Sequence, residues 1–494
     1  MSENFTRCCG LNCPRPQFRL LLGIILAAFG TALPFGINIT LINIPQAVFE
    51  VWVNRSNYKQ RDEYLEEVEL KALWSFIVSS FTLGGAIGGL ASLPLAEKLG
   101  RKFSLLVSSA IVLLGSLISS FSKLPDSFEM FTVGRVVSGL GCGMDSSLLS
   151  IYLSEISPIE LRGFAGGFQE IFIVLGKLLG QIVSLPIILG SQTTWPYLVV
   201  LPAVPAIILI LLLPFFPETP KFLRARLYPI DDYSNAAKAI RFYHGSMVDT
   251  GQVVSDIDKE LEIMKSELNF SQILHSPMLR KCLLIAVIIR LAQELTGITA
   301  IFNFSTNIFE TLQFSSDFAM YNSIGLGAIS AVITVIAAYV VEHTGRRKPL
   351  VYGLIGTLVC DLIFMIFGLL VDMAGQNWAG YVCLAAFYLH VCIFSFGPGP
   401  VGWLIVPELV PQLARSGVTS AGVFVNWASN LLVTAAFLPA KALIGDFSFL
   451  MFIVPLAFCC VYLLMRLPET QGKPVDQIAK LLLAGVIRPR QTVL

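Results

Sequence analysis

Charge is scarce in this sequence. Only 14% of its 494 residues are Asp, Glu, Lys or Arg, while 55% are apolar. Soluble domains carry roughly a quarter charged residues, so a hydrated surface for a globule of this length is excluded. An excess of either sign is also missing. Net charge is +1, so no global field points to a nucleic-acid partner. The ten cysteines follow neither zinc-site spacing nor a secreted disulfide framework. Cys8, Cys9 and Cys13 precede the first apolar block, beside which palmitoylation is possible; those inside apolar blocks read as small buried hydrophobes. No nucleophile, metal cluster or phosphate-cradling loop stands out, so neither an enzyme nor a cofactor is expected.

What the sequence does have is apolar blocks of about 20 residues, the length a helix needs to cross ~30 Å of hydrocarbon. Twelve are expected: 18–40, 71–94, 103–121, 128–153, 164–189 and 195–215, then 281–311, 319–341, 349–371, 379–407, 416–438 and 447–465. The block from Phe18 lacks a clear small-residue cleavage site and reads as the first span. The expected fold is an all-α membrane protein with two pseudo-symmetric six-helix halves. Its parts are an N-terminal segment 1–17, a first half 18–218, a helical linker 219–280, a second half 281–466 and a tail 467–494. Residues 50–70 read as a charged loop. Arg15, Arg19, Lys98, Arg101, Lys102, Arg162, Arg346, Arg347, Lys348, Arg415 and Arg466 fall on one side. The positive-inside tendency makes that side cytosolic, with both termini there and the plasma membrane as the expected location. Asn54 of Asn54-Arg55-Ser56 then lies outside as a glycosylation candidate.

The halves repeat. Glu97-Lys98-Leu99-Gly100-Arg101-Lys102 is echoed by Glu342-His343-Thr344-Gly345-Arg346-Arg347. Glu155 with Arg162 is echoed by Glu408 with Arg415, and Pro217-Glu218-Thr219 by Pro468-Glu469-Thr470. Three echoes in register, each roughly half a chain apart, indicate duplication. Duplicated halves suggest alternating access around a site at their interface. Glu97, Arg101, Glu155 and Arg162 would pair across the halves with Glu342, Arg346, Glu408 and Arg415 in the outward-facing state, forming a cytosolic gate. Gly84, Gly85, Gly88 and Gly89 read as a close-packing face.

Further motifs carry a resemblance. They are Asn38 and Ile42-Asn43-Ile44-Pro45-Gln46 in the first span, Gly134-Arg135 opening the fourth, and Gln293-Glu294-Leu295-Thr296-Gly297 in the seventh. The tenth has Gly397-Pro398-Gly399-Pro400, Trp403 and Pro407-Glu408; the eleventh has Asn426-Trp427 and Asn430. Together these resemble the facilitative glucose transporters, sugar porters of the major facilitator superfamily, over nearly the whole chain. The resemblance implies a uniporter moving a hexose or related polyol by alternating access. Gln293, Asn426 and Trp403 match sugar-contacting positions and Trp427 a cavity-side one; Asn38, Glu170, Glu294 and Thr299 also fall at site positions. An amide both donates and accepts to hydroxyls, and Trp offers a face to a sugar's C–H side.

The sequence departs from that pattern where charge is costly. Glu170 and Glu294 stand where the family's glucose carriers have Gln, and Thr299 stands where they have Asn. Asp145, Lys177 and Arg290 also fall inside apolar blocks. Such residues face a cavity or pair; pairing of Lys177 with Glu170 or Asp145 is one expectation, substrate contact another. A charged or amphipathic solute, possibly proton-coupled, is therefore the alternative cargo. Asn38 weighs against coupling, because proton-linked sugar porters commonly carry Asp there and Asn does not titrate. A non-transporting sugar sensor is the alternative of another class, though the segment after Arg466 is short for a signalling tail. The expected partners are a small-molecule substrate and the lipid bilayer, with oligomeric state open.

Overall fold

The computed structural model describes residues 17–470 except 159–160, 227–232, 246–247, 266–269 and 412–413. The N-terminal cysteines and the tail beyond 470 lie outside the described residues. Among those described, all regular structure is helical.

The first half contains α1 (Phe18–Thr40), α2 (Gln46–Arg61), α3 (Glu67–Leu99), α4 (Arg101–Phe121), α5 (Phe128–Ile156) and α6 (Arg162–Val183). Its last crossing is divided into α7 (Trp195–Val200) and α8 (Ala203–Leu212) around Pro202. Four short helices form the linker: α9 (Pro220–Ala225), α10 (Ser234–His244), α11 (Thr250–Lys265) and α12 (Phe270–His275). The second half comprises α13 (Pro277–Leu295), α14 (Ile298–Thr311), α15 (Ser316–Thr344), α16 (Arg347–Ala374), α17 (Asn377–Phe396), α18 (Pro398–Leu409), α19 (Arg415–Ile444) and α20 (Leu450–Arg466).

Eleven described stretches are long and apolar enough to cross a membrane. The last, Gly417–Arg466, runs 50 residues, roughly 75 Å if it were one helix. A 3-10 turn at Gly445–Phe449 divides it into α19 and α20, which gives twelve crossings. Large apolar side chains such as Phe76, Leu114, Leu211, Val332, Leu389, Leu432 and Phe458 point outward from these helices, as a lipid-facing surface requires.

Helix ends follow local chemistry. Glu66 and Glu69 form a capping box at the start of α3. The Ser127 and Ser315 hydroxyls cap α5 and α15 by accepting from Met130 and Phe318 N–H. Two further crossings are broken, both at glycine. Gly297, at φ +75°, separates α13 from α14 in a left-handed conformation that a side chain would strain, and Gly397 separates α17 from α18.

Residues 50–70 are not simply a loop. Phe49, Trp52, Val53 and Ser56 recur on one face of α2 and are buried. Phe49 and Trp52 pack on Trp74, Phe131 and Trp195. The charged residues occupy the opposite face, so the high charge content of this segment hides a helical period.

The glycine stripe of α3 meets α5 and α19. A Cβ on Gly84 or Gly88 would stand 2.0 Å from the carbonyl oxygen of Val136 or Leu140, so only glycine admits this approach. On the neighbouring face, Gly85 receives the Trp427 ring.

The cores show how the halves meet. At the end carrying α2, one cluster draws on both halves: Ile37, Leu41, Phe49 and Trp74 join Ile301, Phe302, Phe304 and Phe437. At the opposite end, where the Lys- and Arg-rich turns lie, each half has a core of its own. Leu105, Leu149, Tyr152 and Leu213 belong to one; Leu279, Leu350, Ile405 and Leu463 belong to the other. The described bundle is joined at its α2 end and has separate cores at its basic end.

Candidate functional site

The break at Gly297 brings the end of α13 against α14 and α19. There Glu294 is the centre of a polar cluster. Its carboxylate accepts from Thr299 Oγ1 at 2.7 Å, Asn426 Nδ2 at 3.0 Å and Asn430 Nδ2 at 3.1 Å. Asn430 also donates to Thr299 at 3.1 Å and accepts from the Thr434 hydroxyl at 3.3 Å. Three of the expected site residues, Glu294, Thr299 and Asn426, therefore sit together, with Asn430 completing the group.

Gln293 faces another way. Its amide N–H group donates to the carbonyls of Pro398 at 2.7 Å and Gly399 at 3.1 Å, and its oxygen accepts from Arg290 at 3.1 Å. The carbonyls it serves start α18 after the Gly397 break. Gln293 is buried and, in this state, splints broken helix. Arg290 stacks on Trp403, with its guanidinium carbon 3.6 Å from the ring centroid. One face of Trp403 is therefore covered by the guanidinium.

On the first half, Asn38 donates to the Pro34 carbonyl at 3.0 Å, and its backbone carbonyl accepts from Arg135 at 3.0 Å. It is buried and lies apart from the Glu294 cluster's hydrogen bonds. Trp427 packs between Gly85 and Phe35, its ring 5.6 Å from the latter. Glu170 is half-buried, and no hydrogen bond to its carboxylate forms among the described residues. Gln169 beside it bonds Ser146 and Ser150. A recess between α1, α5 and α6 is lined by Thr31, Phe35, Asp145, Ser146, Gln169 and Ile173.

Pairing of Lys177 with Glu170 or Asp145 is not what forms. Asp145 takes the Ser108 hydroxyl instead. The Lys177 ammonium rests on Phe302 of α14, 4.7 Å from the ring centroid, within the electrostatic reach of both Glu170 and Glu294. Two turns separate Glu170 and Lys177, and the ring on which Lys177 rests comes from the opposite half.

The α2 end is sealed by polar contacts as well as by the shared core. Asn43 donates to Ser305 at 2.8 Å and accepts from the Thr306 N–H at 3.3 Å, and Ser305 donates on to Ser323 at 2.8 Å. Ser75 reaches the Thr434 carbonyl at 2.7 Å.

At the basic end the repeat recurs atom for atom. Arg101 pairs with Glu155 at 2.9 Å, and the Thr219 hydroxyl donates to Glu155 at 2.7 Å. Arg346 pairs with Glu408 at 3.4 Å, and the Thr470 hydroxyl donates to Glu408 at 2.7 Å. Glu218 and Glu469 accept from the backbone N–H groups of Lys102 and Arg347 respectively. These pairs lie within each half. Arg162 binds Glu260 of the linker at 3.2 Å. Arg415 and Glu97 are exposed, and the side chain of Glu342 lies outside the described residues.

Other features carry no motif in the sequence. His390 and Asp361 form a buried pair at 3.1 Å, and Lys441 and Asp446 another at 2.7 Å. The available signal is only an ionisable residue within an apolar block. Asn54 donates nothing visible to its sequon partner: its side-chain oxygen accepts from Leu65 N–H at 2.9 Å, while Ser56 is buried and bonds the Asp126 carbonyl.

The comparisons agree with this architecture. Residues 23–482 match the model of the family described as "Sugar (and other) transporter". The chain is 34% identical over 470 residues to facilitated glucose transporter member 1 of Gallus gallus, covering 93% of each. It is likewise 34% identical to facilitated glucose transporter protein 1 of Caenorhabditis elegans, covering 92% of this chain and 88% of that one. An inward-open structure of the xylose transporter XylE from E. coli superposes with a TM-score of 0.76, covering 94% of this chain and 99% of that one at 21% identity. With its duplicated six-crossing halves, the chain belongs to the facilitative glucose transporter family, sugar porters of the major facilitator superfamily.

Proposed function

We propose that this protein carries a hexose or related polyol down its gradient, by rocking its halves about a site bounded by Glu294, Thr299 and Asn426. The observation that carries this reading is the junction of the halves. Their cores merge at the α2 end and separate at the basic end, with hydrogen-bonding groups gathered around Glu294 beside the seam. This is an arrangement from which a solute would leave toward the basic side. Asn38, Gln293, Trp403 and Trp427 form the second rank of the proposed site. Gln293 would exchange a helix-splinting bond for a sugar hydroxyl, and Glu170 of α6 would take part from the first half.

The basic end is assigned to the cytosol on its Lys and Arg content, with both termini there and the plasma membrane as the site of action. In the opposite state, Glu97, Arg101, Glu155 and Arg162 would meet Glu342, Arg346, Glu408 and Arg415 across the closed end. Asn54 remains a glycosylation candidate; because α2 buries Ser56, glycan transfer would precede docking of that helix.

Lys177, Glu170 and Glu294 favour a second reading, a charged organic solute. Uptake into proteoliposomes of hexoses, urate and dehydroascorbate separates the two. Saturable hexose uptake competed only by hexoses supports the first; competition by anions alone overturns it. Sugar binding without flux would identify a sensor. Asn38 leaves α1 without a titratable group at the expected position, so uptake should be indifferent to an imposed pH gradient.

A further inference from the structure

We infer that the second-half wall of the site is an acceptor surface, set by Glu294, that engages polyols through their hydrogen-bond donors and prefers a protonated amino sugar to an acidic one. The inference rests on the hexose reading and deepens it.

A carboxylate has acceptors and no donors, so every group bound to Glu294 must turn a proton toward it. Thr299, Asn426 and Asn430 all do so. Each asparagine amide has one oxygen and one NH₂ group. Committing NH₂ to Glu294 turns the oxygen elsewhere. Asn430 Oδ1 takes the Thr434 hydroxyl, while no hydrogen bond to Asn426 Oδ1 forms among the described residues. The wall thus offers the one remaining lone pair of Glu294, on Oε1, and the Asn426 carbonyl. A Gln at 294 would present both polarities and leave the amides free to turn either way.

Charge near the site leans the same way. Arg290 is fully buried, stacked on Trp403 and bonded to Gln293, so its N–H donors are turned into the second half, although its charge is felt by Glu294. Gln293 spends its own NH₂ on the Pro398 and Gly399 carbonyls. Of the two cations that Glu294 feels, Lys177 is drawn onto Phe302 and Arg290 onto Trp403, so neither offers the wall a donor beside Glu294. An ammonium satisfies acceptors directly, whereas a second carboxylate would meet Glu294 without donors between them.

The test measures inhibition of labelled D-glucose uptake in proteoliposomes by D-glucosamine and by D-glucuronate, at neutral pH, where the amine is largely protonated and the glucuronate ionised. The wild type should favour glucosamine over glucuronate by at least about tenfold, equivalent to roughly 1.4 kcal/mol. Glu294→Gln should compress that ratio by a similar factor, and Lys177→Met should widen it. Sugar-induced thermal stabilisation of each purified variant reports whether it is folded and binds. Wild-type glucose uptake with no amine preference overturns this inference alone. So does an unchanged ratio in a folded Glu294→Gln protein, or, should that variant not fold, a ratio that fails to widen in Lys177→Met. Absence of any hexose uptake by the wild type removes the hexose reading and this inference with it.

Discussion

Gln293 stands where a sugar-binding amide is expected, yet all its bonds are spent on the chain itself. Removing it takes the amide's bonds from two carbonyls at the start of α18 and leaves one buried guanidinium N–H without its acceptor. An unpaired buried polar group costs about 1–3 kcal/mol. Gln293→Ala should therefore lower thermal stability in detergent even without sugar, by about that amount, as well as weaken uptake. Unchanged stability of the sugar-free variant would assign Gln293 to ligand binding alone. Gln293 was legible only through the resemblance, where it matches a sugar-contacting position and its amide can both donate and accept. The sequence did not show where Gln293 points, because Pro398 lies more than a hundred residues away. The same holds for Arg290 on Trp403 and Lys177 on Phe302. A motif places a residue at a depth, but its partner is fixed only when distant helices pack.

Among the elements, α2 was the least legible. Its charged face dominates the composition of 50–70, and its apolar face is explained only by Phe131 and Trp195, which reach it through tertiary packing. The crossings were read closely because lipid exposure makes nearly every side chain apolar, and that signal needs no knowledge of neighbours. Asp126, in the turn between α4 and α5, anchors α2. It accepts from Lys59 and, at 3.0 Å, from Trp52 Nε1, while its backbone carbonyl takes Ser56. The Lys59 hydrogen bond, outweighing partial burial, holds its carboxyl below the ordinary Asp range. A depressed folded-state value stabilises the protein above the unfolded value, about 3.9, and that gain is lost as pH falls through the folded one. Docking of α2 should thus be constant from neutral pH down to about 4 and loosen below it, read by hydrogen exchange of α2 amides. Asp126→Ala should loosen α2 at neutral pH and remove that dependence. Wild-type-like protection in the variant would show that the Trp52 and Phe49 packing holds α2 alone.

For the whole molecule, duplication was readable because its charges recur in register, and the structure gives them matching partners in each half. The proposed gate exchanges these within-half pairs for cross-half ones. Neutralising Arg346 or Glu408 removes the pair between them and should shift the balance between inward- and outward-facing states. Cysteine accessibility from each side would report this as a change of severalfold or more, taking about 1 kcal/mol for a charge-assisted contact. Equal accessibility in wild type and variant would leave these residues to ordinary loop charge. The central claim is that one site alternates between two sides without a coupled ion. Counterflow tests it most directly, in proteoliposomes preloaded with unlabelled D-glucose, diluted into labelled D-glucose and treated with a protonophore. The account predicts a transient accumulation of label above equilibrium, undiminished by the protonophore. A monotonic approach to equilibrium, or an overshoot abolished by the protonophore, would contradict it.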